Sequence, residues 1–381
     1  MHDEAKQRCV NIDWLEVYVL ESAQRYPCNA EYFRRQGYYV RERAYGTRVY
    51  KEMFEILNDQ NQPVMEIRRN PASGDAEFNG LVPESCHIRL PNWILYQNNP
   101  VDFLCQFLLQ HDYIFKRIFR IDICYDFTRF DTGDKPVNVV RRIVNHTYSK
   151  INQSHRRTSG TDTWTECFDN WISWGNPKSM VNTKIYDKTK ELHDTGNHKP
   201  WIPELWRKAG YIDDIVNISK DGRSIQMWRL EFSIKGNAKE WIYIGKNDCD
   251  DEFTHTLPHS LEVYSTRQGI INAIANLVPY YFRFKIYVEG RRKSNCDDKT
   301  LFIFDDAECE TGYRLLNQSD AGRIKPKHIE NEVAALNHLI KASMKLYGTE
   351  YEQALRDVIS KLSLSIDRKS LSIYEDIPDI F

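Results

Sequence analysis

In the run M-V-N-T-K-I-Y-D-K, residues 180–188, a tyrosine stands between two lysines at a spacing of two: Lys184, Tyr186 and Lys188. On a strand successive side chains alternate between faces, so these three share one face and Ile185 takes the other. A phenol flanked by cations costs less to ionise and has a phosphate site beside it, which a tyrosine attacking a phosphodiester needs. The same composition also suits a surface strand with a half-buried tyrosine, because tyrosine favours strands and lysine favours solvent. Two other segments carry acids in strand-like alternation. R-I-D-I-C-Y-D-F, residues 120–127, puts Asp122, Cys124 and Asp126 on one face, and W-R-L-E-F-S-I-K, residues 228–235, puts Arg229, Glu231, Ser233 and Lys235 on one face. Carboxylates from two strands beside a tyrosine strand are oxygen donors of the kind a hard divalent cation takes. Spacing alone does not bring them together.

These three segments, with the turn G-N-P-K-S at residues 175–179 and the core Y-D-K-T-K-E at residues 186–191, resemble in content and order the motifs of the replication initiation factor (Rep-trans) family. That family starts rolling-circle replication of plasmids and some phages, and related proteins act as relaxases of conjugative elements. I-D-W-L-E-V, residues 12–17, resembles its first strand, so the likeness spans roughly the first two thirds of the chain. It implies that Tyr186 is the nicking nucleophile and that Asp122 and Glu231 bind a divalent metal, Mg²⁺ or Mn²⁺, with Asp126 as a third donor. It further implies that Lys188 assists at the phosphate and that Glu191 either binds metal or pairs with a cation. DNA contacts are expected at Lys184 and at Lys178 of the turn. Asn176 and Pro177 depart from the small and basic residues usual in that turn, which weakens its phosphate contact more than the chemistry. The function implied is a metal-dependent, site-specific DNA nicking and joining enzyme with a 5′-phosphotyrosine intermediate. The alternatives are a relaxase with the same chemistry and a noncatalytic origin-binding protein. The partner implied is DNA at an origin, single-stranded or cruciform; host helicase and polymerase are further candidate partners, and a homodimer is open.

The elements that must position these residues read as an α+β fold, a central, mostly antiparallel sheet covered by helices. Strands are expected over 11–21, 39–49, 65–69 and 86–90, and helices over 100–110, 136–152 and 203–209. In the second helix Val137, Val140, Ile143 and Val144 form the apolar side, with Arg141 and Arg142 outside it. Arg41 and Arg43 lie in a stretch where basic and aromatic residues interleave, a pattern that either tracks a phosphate backbone while stacking bases or is the solvated face of a strand pair. Arg156 and Arg157 fall in a polar loop. A helix over 270–277 precedes an aromatic strand, residues 280–288, and a helical tail follows over 330–362 that suits duplex recognition, subunit pairing or packing on the sheet. The division expected is a catalytic domain, 1–265, and an accessory C-terminal region, 266–381.

The chain has 381 residues and a formal charge of -2, so a DNA surface must come from local segregation of charge. Its 41% hydrophobic content marks a folded chain, and 13% aromatic content leaves rings to spare for stacking on bases. Nine cysteines without a C-x-x-C pair suit core thiols in a reducing compartment, and no signal peptide or membrane span is visible, so a cytoplasmic location is expected. No H-x-H strand occurs. His255, His259 and Cys249 do not make up the four ligands of a zinc site, so a carboxylate-built site is the better expectation. No P-loop is present, which argues against ATP use.

Overall fold

A computed structural model describes residues 8–72, 81–145, 148–150, 171–175, 179–196, 198–212, 226–236, 238–246, 252–287, 290, 297–301 and 313–317. The chain divides into two compact units, Met1–Asn317 and Gln318–Phe381, and the second lies outside the described residues. So do the expected helical tail, Lys178 of the turn, and the loop with Arg156 and Arg157.

In chain order the strands are β1 (Cys9–Glu21), β2 (Tyr39–Glu42), β3 (Tyr50–Leu57), β4 (Pro63–Pro71), β5 (Ser85–Leu90), β6 (Tyr113–Phe127), β7 (Tyr148–Lys150), β8 (Trp171–Trp174), β9 (Val181–Asp187) and β10 (Trp228–Lys235). β11 (Ala238–Lys246), β12 (Glu252–Pro258), β13 (Arg283–Ile286), β14 (Asp298–Thr300) and β15 (Tyr313–Asn317) follow. The helices used below are α1 (Ala30–Arg35), α2 (Asn92–Leu95), α3 (Pro100–Gln110), α4 (Pro136–Val144), α5 (Lys188–Asp194), α6 (Trp201–Lys208) and α7 (Arg267–Tyr281). Nine strands form one sheet in the order β2-β3-β4-β5-β1-β6-β10-β9-β8, and every pairing in it is antiparallel. The α+β fold class is therefore as expected.

Alternation explains why these segments are strands. Leu15, Val17 and Val19 of β1, Ile121 and Ile123 of β6, Leu230, Phe232 and Ile234 of β10 and Ile185 of β9 are all fully buried on one face of the sheet. Val101 and Leu104 of α3, Val139 and Val140 of α4 and Ile270, Ile271 and Ile274 of α7 join the same core. α3 starts with proline at its first position, where the missing N–H costs nothing, and its range is the one the sequence predicts. Among the described residues the opposite face carries most of the sheet's charged side chains, with Trp14 and Phe119 between them. α6 covers its Cys9 end, where Cys9, Ile202, Trp206 and Met227 make a second small core.

Several boundaries differ from expectation, among them the aromatic strand expected over 280–288, whose first residues end α7 at Tyr281 and which is a strand only over Arg283–Ile286. The strand expected over 39–49 stops at Glu42, and the chain turns at Gly46 before β3. An added Cβ at Gly46 would come within 2.1 Å of the Tyr50 carbonyl oxygen, so the close approach requires glycine. The helix expected over 136–152 ends at Val144, and β7 occupies Tyr148–Lys150. Lys188 belongs to the first turn of a helix rather than to the tyrosine strand. Among the described residues no helix is long and apolar enough to cross a membrane.

Candidate active site

β6, β10 and β9 are neighbours, and their register decides which side chains meet. Across β6 and β10, Asp126 faces Arg229, Cys124 faces Glu231 and Asp122 faces Ser233. Across β10 and β9, Arg229 faces Tyr186 and Glu231 faces Lys184. Three segments separated by up to about a hundred residues thus deliver Asp122, Glu231, Lys184 and Tyr186 to one polar face.

The Tyr186 hydroxyl donates to Oε2 of Glu231 at 3.0 Å, and Nζ of Lys188 lies 3.5 Å from the same hydroxyl. Nζ of Lys184 is 3.5 Å from the other Glu231 oxygen. Lys188 reaches the phenol from the first turn of α5, where Asp187 caps the helix by accepting from the Lys190 amide at 2.9 Å. Its ammonium is buried and pairs with Glu191 at 2.7 Å. A pocket of about 450 Å³ opens beside the phenol, lined by Trp171, Lys184, Tyr186, Asp187, Lys190 and Glu191 among others.

Electrostatics reverse one expectation. Burial, and then the negative charge of Glu231, hold the Tyr186 phenol well above its ordinary value, and the positive charge of Arg229 opposes them only in part. Burial, followed by Arg229, lowers the Lys188 ammonium. In the protein alone the phenol is neutral and serves as a hydrogen-bond donor. The flanking lysines do not ionise it. Asp122 is almost wholly buried, and burial together with Glu231 pushes its carboxyl up to about 6 against the opposing guanidinium of Arg120. Arg120 holds both Asp122 oxygens, at 2.9 and 2.5 Å.

Asp126, expected as a third metal donor, is occupied otherwise. Both its oxygens bind Arg229, at 2.6 and 2.7 Å, and one also accepts from the Trp206 indole at 2.7 Å. Arg229 is fully buried and extends to Asp13 at 2.7 Å and to the Tyr96 hydroxyl at 3.0 Å, while Asp13 accepts from Tyr96 and Asn92. Arg229 is also the cross-strand neighbour of Tyr186. Glu191 is likewise engaged by Lys188 rather than directed at Asp122. Arg41 lies on β2 at the far edge of the sheet and Arg43 just past its end, both bound to Glu55 at 2.7 Å. His259 is buried against Tyr264, while Cys249 lies outside the described residues.

Sequence reading missed the partners of Arg229. Asp13 and Trp14 follow each other in β1, yet both side chains reach the polar face, because the β1–β6 register slips between Ile12 and Trp14. A bulge of this kind leaves no periodic trace, although Asp13 does stand within I-D-W-L-E-V.

A divalent cation is implied by the family likeness, and the donors present allow one of limited kind. Among the described residues no group of three or more His, Cys, Asp or Glu is arranged to hold a metal. Asp122 and Glu231 repel each other electrostatically in a site where burial already raises Asp122, a cost that a shared cation would relieve. Two carboxylates suit Mg²⁺ or Mn²⁺, which keep several waters and complete their shell with substrate phosphate.

No family model matches the chain, and no curated protein matches it. Among solved structures it is similar to a rolling circle replication initiator protein from Geobacillus stearothermophilus, at 12% identity and a TM-score of 0.41, over 77% of this chain and 93% of that one. At that TM-score neither topology nor chemistry transfers from one chain to the other.

Proposed function

We propose that this protein nicks and rejoins a DNA strand through Tyr186 and thereby initiates rolling-circle replication. One observation carries the reading: the Tyr186 hydroxyl, at the wall of an open pocket, is bonded to Glu231 at 3.0 Å with the Lys188 ammonium at 3.5 Å. A nucleophile, an acceptor for its proton and a cation for the charge that develops meet at a single oxygen.

As the phenolic oxygen attacks phosphorus in line, its proton passes to the Glu231 carboxylate and the bond from phosphorus to the 3′ oxygen breaks. The protein then carries the 5′ phosphate as a tyrosine diester, and the departing 3′ oxygen takes a proton from water and becomes a primer for a polymerase. The diester keeps much of the original bond energy, so a 3′ hydroxyl can reverse the step without ATP. Lys188 offsets charge on the phenolic oxygen as its proton leaves, and Lys184 stands beside the pocket where phosphate would lie. A divalent cation held by Asp122 and Glu231 would supply Lewis acidity at the nonbridging phosphate oxygens.

The test uses the full chain, a labelled single-stranded DNA pool of randomised sequence and Mn²⁺, followed by a denaturing gel. A labelled band at the protein's mass that Tyr186→Phe lacks is the expected result. Binding without any adduct would leave an origin-binding protein in place of an enzyme.

A further inference from the structure

The polar face does not end at the tyrosine pocket. One row of cross-strand partners runs Arg41, Glu55, Glu66, Arg89, Glu16 and Arg120, crossing β2, β3, β4, β5, β1 and β6 in turn. Formally the row is balanced. Its depth is not.

Each carboxylate is recessed and each guanidinium stands outward. The Glu55 side chain is 7% exposed, whereas Arg41 and Arg43 above it are 41% and 50% exposed. Glu66 is 4% exposed beneath Arg68 at 21% and Arg89 at 28%, and Asp122 is 5% exposed beneath Arg120 at 35%. Every pair is thus a dipole with its positive end toward solvent, and a nearby anion meets the guanidiniums at closer range than the carboxylates behind them. Near the middle of the sheet the Arg89 and Arg120 guanidiniums both lie over the Trp14 ring, each 4.6 Å from its centre, and each is also held by a carboxylate, Glu66 and Asp122 respectively. Beside them Phe119 is 39% exposed, with its ring 4.1 Å from that of His87.

We propose that this face is a binding track for single-stranded DNA that leads from the β2 edge to the Tyr186 pocket. From β2 to β9 the sheet spans about 34 Å at ordinary strand spacing, a length on the scale of single-strand site sizes. Held guanidinium planes and one open aromatic ring offer surfaces on which unpaired bases stack, and outward cations follow the phosphates. A paired duplex keeps its bases inside and cannot use those planes. The track rests on the nicking reading for its direction, and it gives Arg41 and Arg43 a role despite their distance from the tyrosine.

The experiment measures binding without cleavage, in full-length protein carrying Tyr186→Phe, by anisotropy of labelled oligonucleotides over a salt series. Two further variants are placed in that background. One is Arg41→Gln with Arg43→Gln and Glu55→Gln, which removes the buried carboxylate together with its partners so that folding is preserved. The other is Phe119→Ala. For a strand of 30 nucleotides the triple variant is expected to lose about tenfold in affinity at low salt and to flatten the log–log salt slope by roughly 1.4, the loss of two phosphate contacts. Phe119→Ala is expected to lose fivefold or more at every salt concentration, since stacking is not screened. An oligonucleotide of two nucleotides, too short to run along the track, should bind all three proteins alike. Unchanged affinity and slope for the long strand in both variants, or equal binding of duplex and single strand, would overturn the track. If the nicking reading fails instead, the adduct is absent while the length-dependent binding persists. The two failures are therefore distinguishable.

Discussion

At the scale of single residues the site places opposite demands on its carboxylates. Asp126 is held by a fully buried guanidinium and an indole, whereas Asp122 shares its surroundings with Glu231 and is pushed up to about 6. Removing one member of a buried ion pair leaves an uncompensated charge. Arg229→Ala, which strands both Asp126 and Asp13, is expected to destabilise the protein by about 3–5 kcal/mol in urea unfolding. A loss under 1 kcal/mol would show that the pair carries little of the fold around Tyr186. Asp122→Asn behaves differently. It should fold well, raise the Mn²⁺ concentration needed for half-maximal adduct formation by about tenfold, a difference near 1.4 kcal/mol, and lose the thermal stabilisation that Mn²⁺ gives the parent protein. An unchanged Mn²⁺ requirement would remove Asp122 from the metal site.

At the scale of elements, the turn after β8 and the join between α1 and α3 are the places where one side chain decides the local structure. Gly175 has φ of +115°, and an added Cβ would come within 2.2 Å of the Asn182 side-chain oxygen on β9. Gly175→Ala is therefore strained in backbone and in contact, and is expected to cost about 1–3 kcal/mol and to lower adduct yield by loosening the tyrosine strand. Parent-like stability and yield would contradict that. His111, just past α3, lies buried with its ring nitrogens 3.0 Å from the hydroxyls of Tyr32 and Tyr38, and burial lowers it to about 4 from an ordinary value of 6.5. An imidazole depressed by folding must be neutral in the folded state, so the unfolded chain binds more protons between pH 4 and 6.5. Stability is then complete above pH 6.5 and falls as pH drops toward 4, by about 2 kcal/mol between pH 7 and 5 from this group. Buried His259, also lowered to about 4, adds a loss of the same sign. His111→Gln should roughly halve that pH dependence in urea unfolding, and an unaltered slope would mean that the ring is charged in the fold.

The elements were legible where apolar and polar residue types alternate, whether or not the polar face is itself buried. β10 has the limits that alternation predicts, and β6 ends at Phe127 as expected while beginning seven residues earlier, at Tyr113. β3 was hidden because Lys51-Glu52 and Met53-Phe54 break the apolar–polar alternation that only Phe54, Glu55 and Ile56 keep. Asp13 was hidden by the bulge in β1. Tyr186, Lys188, Asp122 and Glu231 could be named from spacing and family likeness, but the state of the phenol could not, because it depends on burial and on a Glu231 contributed by another strand.

For the whole molecule, the site exists only once distant segments pair: Tyr186 and Glu231 are 45 residues apart, Arg229 and Asp126 are 103 apart, and Arg229 and Asp13 are 216 apart. The sheet buries one face against helices and leaves the other to charge, which is how a chain of formal charge -2 presents guanidiniums to solvent. That segregation by depth was not legible in the order of residues. The claim on which all of this turns is that one phenolic oxygen becomes joined to DNA. Peptide mapping by mass spectrometry of the trapped protein–DNA adduct tests it most directly: the account predicts a nucleotide linked through its 5′ phosphate to Tyr186. A link to another residue, a 3′-phosphate linkage or undiminished nicking by Tyr186→Phe would contradict it.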